Sequence, residues 1–355
     1  MSIHVDLRLQ RNDFHLRASC ELPMKGLSIV WGPSGAGKST FLKVLSGLEI
    51  GQGSLLFGQE IWQQGEVGLP TYKRSMGYVF QDGYLFPHMN VLRNIDYVTQ
   101  RTKSLHSKEQ KEFWISELDL KPLLLKKTTE LSGGERQRVA LALALVRQPR
   151  WLLFDEPLNA VDEPLRYRLL DLIRNYCRQH SVPILYVTHS RKEALLFGDY
   201  FVQINNGTVT WTGSYTELLS SPEDFPLFKT DKFSILPSTL KEHDHHSKVS
   251  LWNFPGGTLY CPLSQSMRNE KSTRLLIAAK DVSVTRHRPE ESSILNILSS
   301  EIDSIIPHGT DHYFLKLKIG TSFLLAQITY KSLKTLQLEV GERVYAQIKG
   351  VALLT

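Results

Sequence analysis

The sequence lacks any apolar run long enough to cross a membrane. Its longest nearly apolar stretch is Val139–Val146, whereas a membrane-spanning helix needs about 20 such residues. The opening residues, Met1–Phe14, carry charges throughout and lack the apolar centre of a secretion signal. These two absences predict a cytoplasmic protein.

Cysteine and net charge are also low. The chain has 3 cysteines, Cys20, Cys177 and Cys261, which are odd in number and follow no metal-type spacing. We therefore expect buried, reduced thiols rather than disulfides or a zinc site. The net charge of +6 is modest and dispersed. It suits an anionic nucleotide or membrane surface and gives no support to nucleic-acid binding.

A length of 355 residues predicts about two domains. The first is organised around a glycine-rich stretch that matches the phosphate-loop pattern G-x-x-x-x-G-K-[ST]. Its glycines allow a tight turn whose N–H groups point at phosphate oxygens. Lys38 can place its charge between the β- and γ-phosphates, and the Ser39 hydroxyl can ligate Mg²⁺. The candidate nucleotide-binding residues of this loop are Gly32, Pro33, Ser34, Gly35, Ala36, Gly37, Lys38, Ser39 and Thr40.

Two apolar runs that predict strands are each followed by polar side chains that could take part in catalysis. Trp151–Phe154 stops at Asp155 and Glu156, and Ile184–Thr188 stops at His189. Because ligands bind at the carboxyl edge of parallel sheets, we expect these side chains to share one site. Neighbouring side chains on a strand point to opposite faces except near its end, so position alone leaves the roles of the two carboxylates open.

Other positions complete the pattern. Gln81 follows a short strand candidate, and Ser132 with Glu135 forms a capping box that predicts a helix start. Phe14 lies in a predicted hairpin, where it either stacks on an adenine or serves as a core aromatic.

In this order, the phosphate loop, Gln81, the Leu131–Gln137 signature, the Asp155–Glu156 pair and His189 resemble the motifs of the nucleotide-binding subunit of an ABC transporter. The resemblance covers residues 1 to about 230 and implies an α/β P-loop ATPase domain, with a helical subdomain at about 82–150. The segment that ends at Asp162 departs from the usual Ser-x-Leu-Asp of the family but keeps the aspartate.

The resemblance implies a role for each motif. In the family, two subunits enclose two ATP molecules, so that each ATP meets the phosphate loop of one subunit and the signature of the other. The implied catalytic residues are Glu156, His189 and Gln81, and the implied Mg²⁺ ligands are Ser39, Gln81 and Asp155. The residues implied to contact nucleotide beyond the loop are Phe14, Ser132, Gly133, Gly134, Glu135 and Asp162.

The resemblance also implies partners. We expect a homodimer bound peripherally to the cytoplasmic face of the inner membrane, on integral permease subunits. A periplasmic solute-binding protein would be an indirect partner, and no nucleic acid is expected. Tyr84, Leu85 and Phe86 either receive a permease helix or form a small local core.

After residue 230 the helical spacing gives way to short alternating runs, which predict a smaller all-β, OB-like barrel domain. Arg274–Val282 and Arg343–Val351 repeat weakly, so two halves are expected, 231–289 and 290–355. The polar stretch Lys241–His246 is interpreted as a solvated loop rather than a metal site.

The second half resembles the molybdate-binding barrel of molybdate-importer ATPases through Ser292–Leu298 and Val344–Lys349. The candidate oxyanion donors are Ser292, Ser293 and Asn296. Related domains usually carry Arg where this chain has Leu295, and Glu301 would repel an anion, so the sequence favours a dimerising or regulatory scaffold over a molybdate sensor.

These features together predict the ATP-hydrolysing subunit of a bacterial importer, with molybdate as the solute. One alternative keeps the chemistry and changes the solute to sulfate, iron or polyamine. A second is a soluble ABC ATPase that acts on DNA or ribosomes. A third, an oxyanion sensor built on the barrel alone, leaves the catalytic residues without a use.

Overall fold

The computed structural model describes residues 2–101, 107–220, 233–263 and 272–354. It divides into two units, Met1–Pro222 and Glu223–Thr355. The domain boundary expected at residues 230 and 231 falls outside the described residues.

The first unit mixes strands and helices. Its strands are β1 (Ser2–Arg11), β2 (Phe14–Pro23), β3 (Leu27–Trp31), β4 (Gln52–Phe57), β5 (Glu60–Gly65), β6 (Val67–Gly68), β7 (Met76–Val79), β8 (Trp151–Asp155), β9 (Ile184–Val187), β10 (Tyr200–Asn205) and β11 (Thr208–Ser214). Its helices are α1 (Lys38–Ser46), α2 (Val91–Gln100), α3 (Ser107–Glu117), α4 (Gly133–Leu145), α5 (Glu163–His180), α6 (Arg191–Phe197) and α7 (Tyr215–Ser220).

In the described part of this unit, the strands form one sheet in the order β6-β5-β4-β1-β2-β11-β10-β3-β9-β8-β7. The strands β10, β3, β9, β8 and β7 run parallel to one another, whereas β11 pairs antiparallel with β10. The residues of β8 and β9 are all buried, as expected for parallel strands covered on both faces. Their carboxyl ends therefore open at one edge, beside the end of β3.

The helix that follows β3 is fixed at its far end by a buried arginine. Arg74 is 2% exposed, and its guanidinium donates to the carbonyls of Val44 and Leu45 in the last turn of α1. It also donates to the carbonyls of Leu69 and Trp62. A cation at a helix C-terminus complements the helix dipole and satisfies carbonyls that have no partner within the helix.

Three helices, α2, α3 and α4, lie in the region where a helical subdomain was expected. Trp114 of α3 is buried and contacts Tyr176 of α5 edge-on, at 4.9 Å between ring centroids. In the part of the chain that the structure describes, no helix is long and apolar enough to cross a membrane.

The second unit consists mainly of strands, with one short α-helix in its described residues, α8 (Tyr330–Thr335), and a 3-10 turn at Ala279–Asp281. Its strands are β12 (Phe233–Asp244), β13 (Val249–Phe254), β14 (Gly257–Pro262), β15 (Ser272–Ala278), β16 (Val282–Thr285), β17 (Asn296–His308), β18 (His312–Ile319), β19 (Ser322–Thr329), β20 (Arg343–Ile348) and β21 (Ala352–Leu354).

Among the described residues, these strands form two sheets of matching design. One has the order β14-β13-β12-β15-β21, and the other the order β19-β18-β17-β20-β16. The last strand of each sheet comes from the opposite end of the sequence: β16 follows β15 but joins the second sheet, and β21 follows β20 but joins the first. The two sheets share one apolar core that includes Trp252, Leu275, Leu315 and Ala346.

In each sheet, a polar side chain forms hydrogen bonds with the backbone of the other sheet. The Asn296 amide accepts a hydrogen bond from the Tyr260 N–H at 2.8 Å and donates to the Tyr260 carbonyl at 2.9 Å. The Ser234 hydroxyl accepts from the Leu325 N–H at 2.7 Å. These hydrogen bonds join β14 to β17 and β19 to β12, in place of a backbone-to-backbone ladder.

The predicted fold class is confirmed: an α/β unit with a phosphate-loop topology precedes a barrel-like β unit. The loop predicted at Lys241–His246 is wrong for its first part, because β12 continues to Asp244 and the turn begins at His245. Cys177 and Cys261 are buried free thiols as expected, whereas Cys20 is half-buried.

The bridge made by Asn296 generates a prediction. Replacement by alanine leaves the Tyr260 N–H and carbonyl without their partner, at a cost of about 1–3 kcal/mol in the free energy of unfolding. We expect Asn296→Ala to speed amide exchange of residues 257–262 in the full-length protein, measured by hydrogen–deuterium exchange. Ser292→Ala, which removes an exposed hydroxyl without touching Tyr260, is the control. Unchanged exchange in Asn296→Ala would show that the bridge does not hold the sheets together.

Candidate functional site

The phosphate loop joins β3 to α1 and is shaped by glycine. Gly37 is the N-cap of α1 with φ 98°, a left-handed conformation that favours glycine. At Gly32, an added Cβ would lie 2.1 Å from the carbonyl oxygen of Ile204 on β10. A side chain fits at neither position, so the loop keeps its backbone N–H groups uncovered.

Lys38 is buried at the first position of α1. Its ammonium donates to the carbonyls of Gly32 and Pro33, at 2.9 and 2.8 Å. Burial lowers the pKa of Lys38, and the carboxylates of Glu156 and Asp155 oppose that shift. The lysine thus folds back over its own loop, and both carboxylates lie near enough to act on its charge.

Asp155 ends β8 and faces the phosphate loop. The Ser39 hydroxyl donates to Asp155 Oδ1 at 3.0 Å. Asp155 is 5% exposed, and burial raises the pKa of its carboxyl, an effect that the Ser39 hydrogen bond opposes. Ser39 and Asp155 therefore present two hard oxygen donors side by side, the ligand type that Mg²⁺ prefers.

Glu156 leaves the strand in an unusual conformation. Its φ is 50°, the left-handed region that a non-glycine residue rarely adopts. This left-handed conformation interrupts the alternation of side chains between the two faces of the strand. The side chains of Glu156 and Asp155 can therefore both lie at the same edge of the sheet. Backbone outliers of this kind concentrate at functional sites.

Two side chains hold the Glu156 carboxylate, one at each oxygen. His189 Nε2 lies 2.5 Å from Oε1, and the Asn159 amide contacts Oε2. The carboxylate is buried, whereas the His189 side chain is 48% exposed. The structure thus separates the two acids by partner: Asp155 faces Ser39, and Glu156 faces His189.

Phe14 lies against the phosphate loop. An added Cβ on Gly37 would meet its ring at 2.5 Å, and one on Gly207 would meet it at 3.3 Å. The ring is half-buried and packs against the core of the sheet. Both interpretations of Phe14 remain compatible with this position, because one face packs on the loop while part of the ring stays accessible.

The signature sequence begins α4 as predicted. The Ser132 hydroxyl accepts from the Glu135 N–H, and the Glu135 carboxylate accepts from the Ser132 N–H, a complete capping box. An added Cβ on Gly134 would lie 2.7 Å from the Ala160 carbonyl oxygen. The helix start therefore packs closely on the segment that follows Glu156.

Gln137 connects that segment to Gln81. Its amide donates to the Gln81 carbonyl at 3.2 Å and accepts from the Ala160 N–H at 2.9 Å. Gln81 itself is exposed, and Asp162 caps α5 by accepting from the Leu165 N–H at 3.3 Å.

Three residues at this site lay outside the sequence predictions: Gln137 as a connector, Asn159 as a partner of Glu156, and Arg166, which reaches back from α5 to the Asn159 and Val161 carbonyls. The only available signal was the departure from the family pattern at Asn159. Nothing in the spacing distinguishes Arg166 from an exposed helical arginine.

The candidate oxyanion donors are not gathered into one site. Ser292 is exposed, and its hydroxyl accepts from the Ile294 N–H. Ser293 is exposed as well, and the Asn296 amide is already paired with Tyr260. Leu295 points outward with 64% of its surface exposed. Near the predicted permease surface, Tyr84 is 67% exposed and Phe86 packs edge-on against Tyr97 at 4.8 Å.

Comparisons with known proteins agree with this geometry. The ABC transporter family matches residues 17–159, and the TOBE domain family matches residues 292–354. The molybdenum import ATP-binding protein ModC of Albidiferax ferrireducens is 38% identical over 99% of this chain and 95% of its own length. The ModC of Methylococcus capsulatus is 35% identical over 99% of each chain.

Solved structures match about three fifths of the chain. A dimeric ATP-binding cassette, MJ0796, in a post-hydrolysis state with ADP and Pi, superposes with a TM-score of 0.52 at 22% identity, covering 60% of this chain and 98% of that one. The cbiO1 protein of Clostridium perfringens gives a TM-score of 0.52 at 24% identity, covering 62% of this chain and 92% of that one. At these identities the likeness establishes the fold.

The burial of Asp155 generates a prediction about stability. A raised carboxyl pKa means that the ionised form is disfavoured by folding, so at neutral pH the Asp155 charge destabilises the protein. We expect Asp155→Asn to raise the melting temperature of the nucleotide-free protein by about 2–4 °C, which corresponds to about 1 kcal/mol. The gain should shrink as the pH falls through the raised pKa, where Asp155 becomes protonated and the charge disappears. Differential scanning fluorimetry between pH 4.5 and 8 measures both effects.

Asp162→Asn is the matched control, because Asp162 is exposed and its cap is retained by asparagine. An Asp155→Asn protein that melts below the wild type at pH 8 would contradict the assigned cost of this charge.

Proposed function

The chain belongs to the ABC transporter ATP-binding family, and we propose that it is the ATP-hydrolysing subunit of a bacterial molybdate importer. The observation that carries the chemistry is the meeting of Lys38, Ser39, Asp155, Glu156 and His189 at one edge of the sheet. This arrangement brings an anion cradle, a cation site and a base to one place.

We propose that the phosphate loop, with Lys38, binds the phosphates of ATP. The N–H groups at the start of α1 and the positive end of its dipole favour an anion there. When nucleotide binds, Lys38 exchanges its two loop carbonyls for phosphate oxygens, which also compensate its burial. Phe14 is proposed to stack on the adenine.

Ser39 and Asp155 are proposed to hold Mg²⁺, with exposed Gln81 as a further oxygen donor. The donor set fits a hard cation, and a cation would relieve the cost of the buried Asp155 charge. Mg²⁺, when bound, neutralises charge on the transferred phosphoryl group.

Glu156 is proposed as the general base. Its carboxylate accepts from Asn159 and lies against His189, so its oxygens are held in fixed positions. His189 is proposed to orient the γ-phosphate and the attacking water. Because Asp155 faces Ser39, the structure favours this division of labour over the reverse.

We infer that two copies of the chain complete the site. Ser132, Gly133, Gly134 and Glu135 form an N-terminal helix turn whose donors suit a phosphate, and Asp162 lies on the segment packed beside it. The dimeric form of the related cassette structures supports this proposal. Tyr84 and Phe86 are proposed to face a permease, which would place the protein peripherally at the cytoplasmic side of the membrane.

We propose two domains with separate roles. Residues 1–230 form the ATP-binding domain, and residues 231–289 and 290–355 form the two halves of the barrel domain. We favour a scaffold role for the barrel over molybdate sensing, because the Asn296 amide is occupied and Leu295 supplies no charge.

Removing the base tests the chemistry. We expect Glu156→Gln to lower kcat for ATP hydrolysis by about 10²–10⁴, the usual contribution of a general base. ATP binding should persist, so the variant should accumulate a nucleotide-bound dimer, detected by size-exclusion chromatography with light scattering. Glu163→Gln, an exposed glutamate at the start of α5, is the control. A Glu156→Gln protein with near-normal turnover would assign the base to another residue.

The solute is tested in cells. Deletion of the gene in its host should reduce uptake of labelled molybdate at limiting concentration, and the wild-type gene but not Glu156→Gln should restore it. Sulfate, iron and polyamine uptake should stay unchanged. If one of these is lost while molybdate uptake remains, the ATPase serves another solute. Co-purification with ribosomes or DNA, and no uptake defect, would support the soluble alternative.

A further inference from the structure

The proposed chemistry leaves the buried charge of Glu193 without a role. Glu193, on α6, is 1% exposed. Its carboxylate accepts hydrogen bonds from the Thr188 hydroxyl at 2.6 Å and the Tyr186 hydroxyl at 2.9 Å, and forms an ion pair with Arg166 at 3.2 Å. All of these groups act as donors, so the carboxylate is fully used in its ionised form.

These contacts connect Glu193 to the residues on both sides of His189. Thr188 precedes the histidine and donates to Glu193, while the hydroxyl of Ser190, which follows it, accepts from the Glu193 N–H at 3.2 Å. Thr188 and Ser190 are also joined directly, because the Ser190 N–H donates to the Thr188 hydroxyl at 3.0 Å. The backbone that carries His189 is therefore held by Glu193 before and after the histidine.

Arg166 extends the connection in the other direction. Its guanidinium donates to the Val161 carbonyl at 2.6 and 3.2 Å and to the Asn159 carbonyl at 3.4 Å. Both carbonyls belong to Leu158–Asp162, which we call the 158–162 segment. The Asn159 side chain, in turn, contacts Glu156. Because Thr188 and Ser190 connect Glu193 to the backbone of His189, these contacts close a ring that runs from Glu156 through His189, Glu193, Arg166 and Asn159 back to Glu156.

We propose that Arg166 and Glu193 are positioning residues that couple His189 to the 158–162 segment. The inference rests on the proposed ATPase function and deepens it. Separation of this ion pair is costly, because it would leave the buried Glu193 charge without its partly buried partner Arg166. A displacement of the 158–162 segment is thus transmitted to His189. Because the segment packs against the signature helix and carries Asp162, an approaching second copy would set the histidine and the base together.

A purely structural pair would not require this arrangement. One Glu156 oxygen contacts His189 and the other contacts Asn159. Both contacts of the base are therefore connected to the Arg166–Glu193 ion pair. Gln137 links the same segment to Gln81 through one hydrogen bond to each. The 158–162 segment therefore contacts the base and the signature helix directly, and it is linked to Gln81 through Gln137.

The first test is Glu193→Gln, which keeps the shape and the acceptor for Thr188 but removes the charge facing Arg166. We expect kcat for ATP to fall by about tenfold or more, since small displacements of catalytic groups have effects of this size. KM should change less than about threefold, because the residues proposed to grip ATP are untouched. Glu60→Gln, which breaks the Glu60–Arg150 pair at the other end of β8, should leave both parameters unchanged.

A double variant separates positioning from simple stability. Arg166→Met with Glu193→Gln removes both charges, so no buried charge remains unpaired and thermal stability should recover toward the wild type. Positioning predicts that kcat stays low despite the recovered melting temperature. Recovery of kcat together with stability would overturn the proposal.

A mutant cycle with His189→Ala gives the decisive readout, measured by single-turnover hydrolysis with enzyme in excess. If Glu193 acts through His189, adding Glu193→Gln to His189→Ala should lower the rate by less than about twofold. Equal effects in both backgrounds, or a normal kcat in Glu193→Gln alone, would refute the coupling. A wild-type protein without ATPase activity would instead refute the proposed function.

Discussion

Two adjacent carboxylates, Asp155 and Glu156, lie buried at the end of one strand, and much of the polar structure around them compensates this pair. Isolated buried charges cost several kcal/mol each. Ser39 and Lys38 reduce that cost for Asp155, while His189 and Asn159 do so for Glu156. The left-handed backbone at Glu156 is what sends the two acids to the same edge but to different partners.

The phosphate loop is stabilised by a related arrangement of charge and dipole. The N-terminal end of α1 faces the region proposed for phosphate, and Arg74 neutralises the carbonyls of its C-terminal end. The helix is therefore fixed by a cation at one end and is ready for an anion at the other. The adjoining sheet holds the loop closely enough that Gly32 admits no side chain.

Sequence reasoning succeeded where the chemistry depends on short spacing. The phosphate loop, the capping box at Ser132 and the strand ends at Asp155 and His189 each follow from residues close together in the chain. It could not find Arg166 and Glu193 as a pair, because they lie 27 residues apart and only the packing of α5 on α6 joins them. It also offered Asn296 as an oxyanion donor, since a sequence does not reveal that a backbone elsewhere already occupies the amide.

The exchange of final strands makes the barrel unit indivisible. Each sheet obtains its fifth strand from the other half of the sequence, so neither repeat contains all the strands that complete its own sheet. If the two halves were separated, the first sheet would lose β21, and β16 would lose its pairing with β20. The two halves of the sequence therefore form one structural unit, in which neither sheet is complete without a strand from the other half.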